Sequence, residues 1–123
     1  MIYVYNRTKE THDGPNNYPI FRGGSILGNP YTHIKNKTTL ASYVVKTRDE
    51  AIELYDHYFD VMYSGNIEYK KLIDEIYEKY KNGIDVYLEC YCAPLRCHGD
   101  IIKEKLQKRL IKEKIQARKY EVV

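Results

Sequence analysis

The stretch Ile84-Asp85-Val86-Tyr87-Leu88-Glu89-Cys90-Tyr91-Cys92-Ala93-Pro94-Leu95-Arg96-Cys97-His98-Gly99-Asp100 decides the fold. From Ile84 to Tyr91 the chain alternates with a period of two. Val86, Leu88, Cys90 and Cys92 fall on one face, and Tyr87, Glu89 and Tyr91 on the other, which predicts a β-strand. A turn follows. From His98 onward apolar residues recur at helical spacing through Ile101, Ile102, Leu106, Leu110 and Ile115. Strand, turn and helix in this order belong to an open α/β sheet, in which ligands bind beyond the carboxyl ends of the strands.

Working outward, Ile2 to Tyr5 reads as a short strand, and Asn6-Arg7-Thr8 leaves its carboxyl end. Lys9 to Tyr18 is polar and turn-rich, a loop inserted at residues 9–18. In Arg22-Gly23-Gly24-Ser25-Ile26-Leu27-Gly28-Asn29-Pro30-Tyr31 the glycines imply either a close approach of backbone or a kinked connection. Tyr43-Val44-Val45 is a short strand or an extended lead-in. Thr47-Arg48-Asp49-Glu50 has the form of a capping box, with Thr47 as N-cap and Glu50 reaching back. The helix it opens presents Ala51, Leu54, Tyr55, Tyr58, Phe59 and Met62, and Ser64-Gly65-Asn66 ends it. A second helix presents Leu72, Ile73, Ile76, Tyr77 and Tyr80, and stops at Asn82-Gly83. One or two further strands are expected between residues 18 and 46. The whole is read as a single α/β domain over 1–123: a small Rossmann-like sheet flanked by helices, with a long C-terminal helix whose residues 107–123 form a charged tail.

The 123 residues suffice to bury a core without disulfides. Charged residues make up 30% and the net charge is only +3, which argues against nucleic acid as the partner, because most of the excess lies on the solvated face of the last helix. Fourteen tyrosines against two phenylalanines and no tryptophan suggest a core margin whose hydroxyls reach water or polar partners. Met1 leads directly into the first strand, and no apolar run approaches the roughly 20 residues of a membrane span. No membrane partner is expected, and three cysteines in one short segment fit a reducing cytoplasm.

Three chemistries compete for the Cys90–Asp100 segment. Cys90, Cys92, Cys97 and His98 are donors that zinc accepts, but no second knuckle exists and adjacent residues point apart, so no metal is expected. Cys97 sits where a helix dipole would favour a thiolate. An enzyme would use His98 and Asp100 with Cys97 or Cys92, although adjacency in sequence does not bring a base within reach. Ligand binding is the leading reading. Free N–H groups at the start of the last helix favour an anion. Gly99 leaves room for a ligand or a neighbouring backbone, and Asp100 suits either the helix dipole or a ribose hydroxyl. Arg7, Arg22 and Arg48 stand beside element ends and offer planar donors to phosphate. The expected ligand-binding set is Asn6, Arg7, Arg22, Gly28, Asn29, Arg48, Cys92, Pro94, His98, Gly99 and Asp100.

At these residues the chain resembles the domain-of-unknown-function 4326 family of phage and bacterial proteins. The resemblance rests on Asn6-Arg7, on Gly28-Asn29-Pro30-Tyr31, on Thr47-Arg48-Asp49-Glu50-Ala51-Ile52 and, most specifically, on Leu88-x-Cys90-Tyr91-Cys92-Ala93-Pro94-Leu95-x-Cys97-His98-Gly99-Asp100. Many members carry tryptophan where Leu27 and Tyr91 stand here. The resemblance implies a small Rossmann-like domain and no particular activity. The expected function is therefore non-catalytic sequestration of a nucleotide-derived small molecule, such as an ADP-ribose-type or cyclic nucleotide immune signal bound by a phage anti-defence sponge. The alternatives are a nucleotide-processing enzyme and a host-protein interaction module gripping through the last helix. The protein is expected to be a homo-oligomer without a cofactor, resident in the cytoplasm (the host's, if phage-encoded).

Overall fold

In the computed structural model, which describes residues 1–32 and 43–121, the element order is β1 (Ile2–Asn6), β2 (Asn17–Pro19), β3 (Tyr31–Thr32), β4 (Tyr43–Val44), α1 (Arg48–Gly65), α2 (Ile67–Lys81), β5 (Val86–Cys90) and α3 (His98–Glu121). The strand expected from periodicity becomes the centre of a parallel sheet of order β1-β5-β2, in register Ile2↔Val86 and Asn6↔Cys90 on one side and Tyr18↔Leu88 on the other. The α/β class, the parallel sheet and the long last helix agree with the sequence reading.

One face of the sheet carries Ile2, Val86, Leu88 and Cys90, all fully or nearly fully buried against Tyr55, Ile73, Ile76, Ile101, Ile102 and Leu106 from the three helices. Each such aliphatic side chain contributes about 1.5–3 kcal/mol by leaving water. The opposite face is tyrosine-rich instead of helix-covered. Tyr3 stacks on Tyr87 at 5.3 Å, and His12 folds back from the preceding loop to stack on Tyr87 at 4.0 Å.

Tyrosines also line the core margin, as composition suggests. The Tyr55 hydroxyl donates to the Leu27 carbonyl and meets the Tyr69 hydroxyl, each at 2.8 Å. Tyr18, Tyr63 and Tyr77 each donate at 2.6 Å to a carboxylate, of Glu75, Asp74 and Glu113 respectively. A ring can thus fill apolar space while its hydroxyl avoids the cost of an unpaired buried polar group.

Several boundaries differ from expectation. The strand ends at Cys90, so Cys92 lies in the following turn and shares no strand face with it. The stretch read as a loop from Lys9 to Tyr18 yields its last two residues to β2, whose parallel pairing with β5 supplies hydrogen-bond partners that local polarity could not reveal. Strands β3 and β4 are two residues each. Residues 33–42, part of the span expected to hide strands, lie outside the described residues, as do Val122 and Val123 of the tail.

Thr47 is the N-cap of α1, its side chain accepting from the Glu50 amide at 3.1 Å. The reach back of Glu50 goes to the Lys46 amide at 3.2 Å, one residue before the expected partner. Ile52 and Tyr69 join the core although neither was assigned to a helix face, because their neighbours come from other elements. Ile115, expected on the apolar stripe of α3, is exposed, the helix having run past the core after Leu110.

Candidate functional site

Beyond the carboxyl end of β5 the chain opens into a cleft of about 430 Å³, a volume suited to a small ligand. Its walls come from the end of β5, the start of α3, the first turn of α1 and the loop between β2 and β3. Among the described residues lining it are three arginines, Arg22, Arg48 and Arg96, and no carboxylate. Phe21, Tyr31 and Tyr91 add aromatic faces.

Each arginine is placed by a different device. Arg22 is half-buried, its Nη1 donating to the carbonyls of Asn29 and Tyr31 at 3.2 and 3.1 Å. Arg48 is the first residue of α1, set in place by the Thr47 cap. Arg96 lies exposed in the turn before α3, and neither it nor Arg48 makes an ion pair among the described residues. Asn29 is buried, and its Nδ2 donates to the Ala51 carbonyl at 3.1 Å while its Oδ1 accepts from the Tyr31 amide at 2.9 Å. It joins the β2–β3 loop to α1.

Asn6 and Arg7 support the cleft from outside its lining. The Asn6 Nδ2 donates to the carbonyls of Tyr91 and Ala93, at 3.0 and 3.2 Å, tying the end of β1 to the β5–α3 turn. The Arg7 guanidinium lies over Phe21 and Tyr91, 4.8 and 5.4 Å from their ring centres, and those two rings meet edge to face at 5.1 Å. Pro94, which follows a cis peptide bond, belongs to the same turn but does not line the cleft.

The start of α3 departs from expectation. Cys97 is the cap: its Sγ accepts from the Gly99 amide at 3.3 Å, while Asp100 Oδ2 accepts from the Cys97 amide at 2.9 Å. This is the reciprocal arrangement of a capping box, so the Cys97 and Gly99 amides at the helix start are satisfied from within. Asp100 is therefore engaged with its own helix and absent from the cleft lining. Gly99 faces the sheet, not a ligand. A Cβ there would stand 2.7 Å from Ile20 Cδ1 and 2.9 Å from Val4 Cγ1. At Gly28 a Cβ would stand 3.0 Å from Arg22 Cα, so this glycine lets two loop strands pass closely.

His98 lines the cleft but is buried, with its Nε2–H donating to the Ile20 carbonyl at 2.6 Å. Burial pushes its pKa down to about 4, and the charge of Arg22 adds to the effect against the opposing pull of the Ile20 and Leu27 carbonyls and Asp100. The ring is neutral at pH 7.

Cys90 and Cys97 both line the cleft and are buried. The Cys90 sulfur accepts from the amides of Cys92 and Ala93, each at 3.4 Å. Interaction with Cys97, helped by those amides and opposed by burial, lowers the Cys90 pKa, and the same interaction together with burial raises that of Cys97. Cys97, His98 and Asp100 do not form a catalytic chain, since the Cys97 sulfur accepts from the Gly99 amide, His98 Nε2 is engaged with the Ile20 carbonyl and Asp100 with the Cys97 amide. Nor are Cys90, Cys92, Cys97 and His98 gathered as metal donors: among the described residues no group of three or more His, Cys, Asp or Glu is placed to hold an ion.

Of the expected ligand-binding residues, Arg22, Asn29, Arg48, Cys92 and His98 line the cleft; Asn6, Arg7, Gly28, Pro94, Gly99 and Asp100 do not. Sequence reading missed Arg96, Phe21, Tyr31 and Tyr91 as lining residues. Tyr31 and Tyr91 stand in the quoted motifs, and for Phe21 and Arg96 the signal was proximity to the end of an element.

A family model described as "Domain of unknown function (DUF4326)" matches residues 4–108. No curated protein matches the chain, and no solved structure does.

Proposed function

The chain belongs to the DUF4326 family, whose description carries no activity, and we propose from the cleft alone that the protein binds and sequesters an anionic, nucleotide-derived small molecule. The observation that carries this reading is the convergence of Arg22, Arg48 and Arg96 on one cleft whose described lining holds no carboxylate. Guanidinium groups grip phosphate oxygens in a planar, two-pronged way. The rings of Phe21, Tyr31 and Tyr91 offer faces on which a base can stack. Candidates are ADP-ribose-type and cyclic nucleotide signals, and a phage protein that depletes host immune signals fits such binding by analogy only.

The reading includes no cofactor and a cytoplasmic setting; separately, among the described residues no helix is long and apolar enough to cross a membrane. It also includes self-association. Ile111 and Ile115 stand exposed one turn apart on α3, and sedimentation of the intact chain tests whether copies associate.

Isothermal titration against ADP-ribose, cyclic dinucleotides and cyclic mononucleotides tests the binding. Heat is expected with at least one, weakened about 10- to 100-fold in Arg48→Ala and in Arg96→Ala, as loss of a charged hydrogen bond predicts. Absence of heat with the entire panel ends the nucleotide reading. Recovery of a chemically altered ligand would replace sequestration with catalysis.

A further inference from the structure

We infer that Tyr91 is the base-stacking platform of the cleft and that Arg7, laid on its ring, makes the platform selective for purines. The inference rests on the nucleotide-binding reading and deepens it. It fixes which end of the ligand lies where: phosphates on Arg22, Arg48 and Arg96, and a purine base at the Tyr91 rim.

Three observations carry it. Tyr91 lines the cleft and is 54% exposed, so a large ring stands open to solvent beside three guanidinium groups. Its backbone is nevertheless fixed, since the Tyr91 carbonyl accepts from Asn6 Nδ2 at 3.0 Å. An aromatic face held in place before the ligand arrives costs little entropy on binding.

The other two rings of the cleft are less free. Phe21 meets Tyr91 edge to face, at 5.1 Å and 71°. It is also seated against Gly24, where a Cβ would stand 2.8 Å from Phe21 Cε2. Tyr31 is stacked on Tyr43 at 5.4 Å, which occupies one of its faces. Phe21 is thus a wall against which Tyr91 is set, and Tyr91 is the platform.

Arg7 supplies the selectivity. It continues the pairing of β1 with β5, its amide donating to the Cys90 carbonyl at 2.9 Å. Its side chain makes no ion pair among the described residues, and its guanidinium lies over the Tyr91 and Phe21 rings, 5.4 and 4.8 Å from their centres. A cation on one face of a ring draws π density toward itself and leaves the rest of the ring electron-poor. Such a ring stacks best on a large, electron-rich partner, which among the bases means a purine. Arg7 is therefore a positioning residue that acts through Tyr91.

The test is isothermal titration of the full chain with ADP, UDP and inorganic pyrophosphate. ADP should bind about tenfold more tightly than either of the others, as one stacked base predicts. Tyr91→Ala should remove that advantage and leave pyrophosphate binding unchanged, while Tyr91→Phe should behave as the unaltered chain does. Arg7→Ala should narrow the preference for ADP over UDP about threefold, and Arg7→Lys, which keeps a cation, should restore it. Arg48→Ala should weaken all three probes alike. Equal affinity for the three probes, or an equal loss for all of them in Tyr91→Ala, overturns the inference while phosphate binding stands. Silence with all three also overturns it, and the separate titrations with ADP-ribose and cyclic nucleotides then decide the binding reading.

Discussion

Replacing His98 with glutamine removes a titrating ring from the interior while keeping a donor for the Ile20 carbonyl, and the difference should appear in the pH dependence of stability. In the folded protein burial holds the imidazole pKa at about 4, against an ordinary value of 6.5. The unfolded chain therefore binds a proton between these values that the folded chain refuses. Stability from this group is fully present above pH 6.5, falls as pH drops through the window, and falls no further below pH 4. At about 1.36 kcal/mol per pH unit the whole window amounts to about 3 kcal/mol, of which about 2 kcal/mol is lost between pH 7 and pH 5. The Cys90 thiolate changes stability in the same direction, since its pKa is also lowered on folding. Comparison with the variant cancels that contribution. Urea unfolding at pH 7, 6 and 5 should show the unaltered protein losing about 2 kcal/mol more than the variant as acid is added, whatever the offset at pH 7. Parallel curves would mean that His98 protonates freely in the folded state and that its burial against Ile20 is wrong.

Other consequences are as direct. Gly99→Ala forces a methyl against Ile20 and Val4 and should cost about 1–3 kcal/mol by overpacking, read from the urea midpoint; an unchanged midpoint would show that α3 packs less closely on the sheet. Tyr55→Phe leaves the Leu27 carbonyl and the Tyr69 hydroxyl without their shared partner and should cost about 1–2 kcal/mol in the same assay. Asn6→Ala releases the carbonyls of Tyr91 and Ala93, so amide exchange should quicken across residues 91–97 while α2 stays protected. Thr47→Ala removes the cap of α1 at a cost of about 1 kcal/mol, and it should weaken nucleotide binding as well, because Arg48 depends on that first turn.

Local patterns made the fold class legible. The alternation in Val86–Cys90, the Thr47 cap and the apolar spacing of Ile101, Ile102 and Leu106 each depend on residues close in sequence, and each reappears in the structure. Strand β2 was not legible, because its three residues are a strand only through pairing with β5, some seventy positions away. The same distinction governs the cleft. Proximity to element ends pointed to Arg22 and Arg48, and both line the cleft. Gly99 and Asp100 looked equally suited to a ligand, but helix–sheet packing claims one and helix capping the other. A glycine and a carboxylate at a helix start have the same sequence signature whether they face a ligand or the protein itself.

The pairing of β1 with β5 also constrains how the protein is made. Tyr5 and Glu89 are partners 84 positions apart, so the first strand leaves the ribosome long before the strand it must join. At roughly 5–20 residues per second that wait is on the order of 4–17 s, during which Ile2 and its neighbours have no sheet to enter. Closing so long a loop into a parallel pair also places the protein among slower-folding topologies. The cleft, assembled from segments spanning Phe21 to His98, comes into being only when that closure is complete, so the nascent chain has no such cleft until His98 has been synthesised.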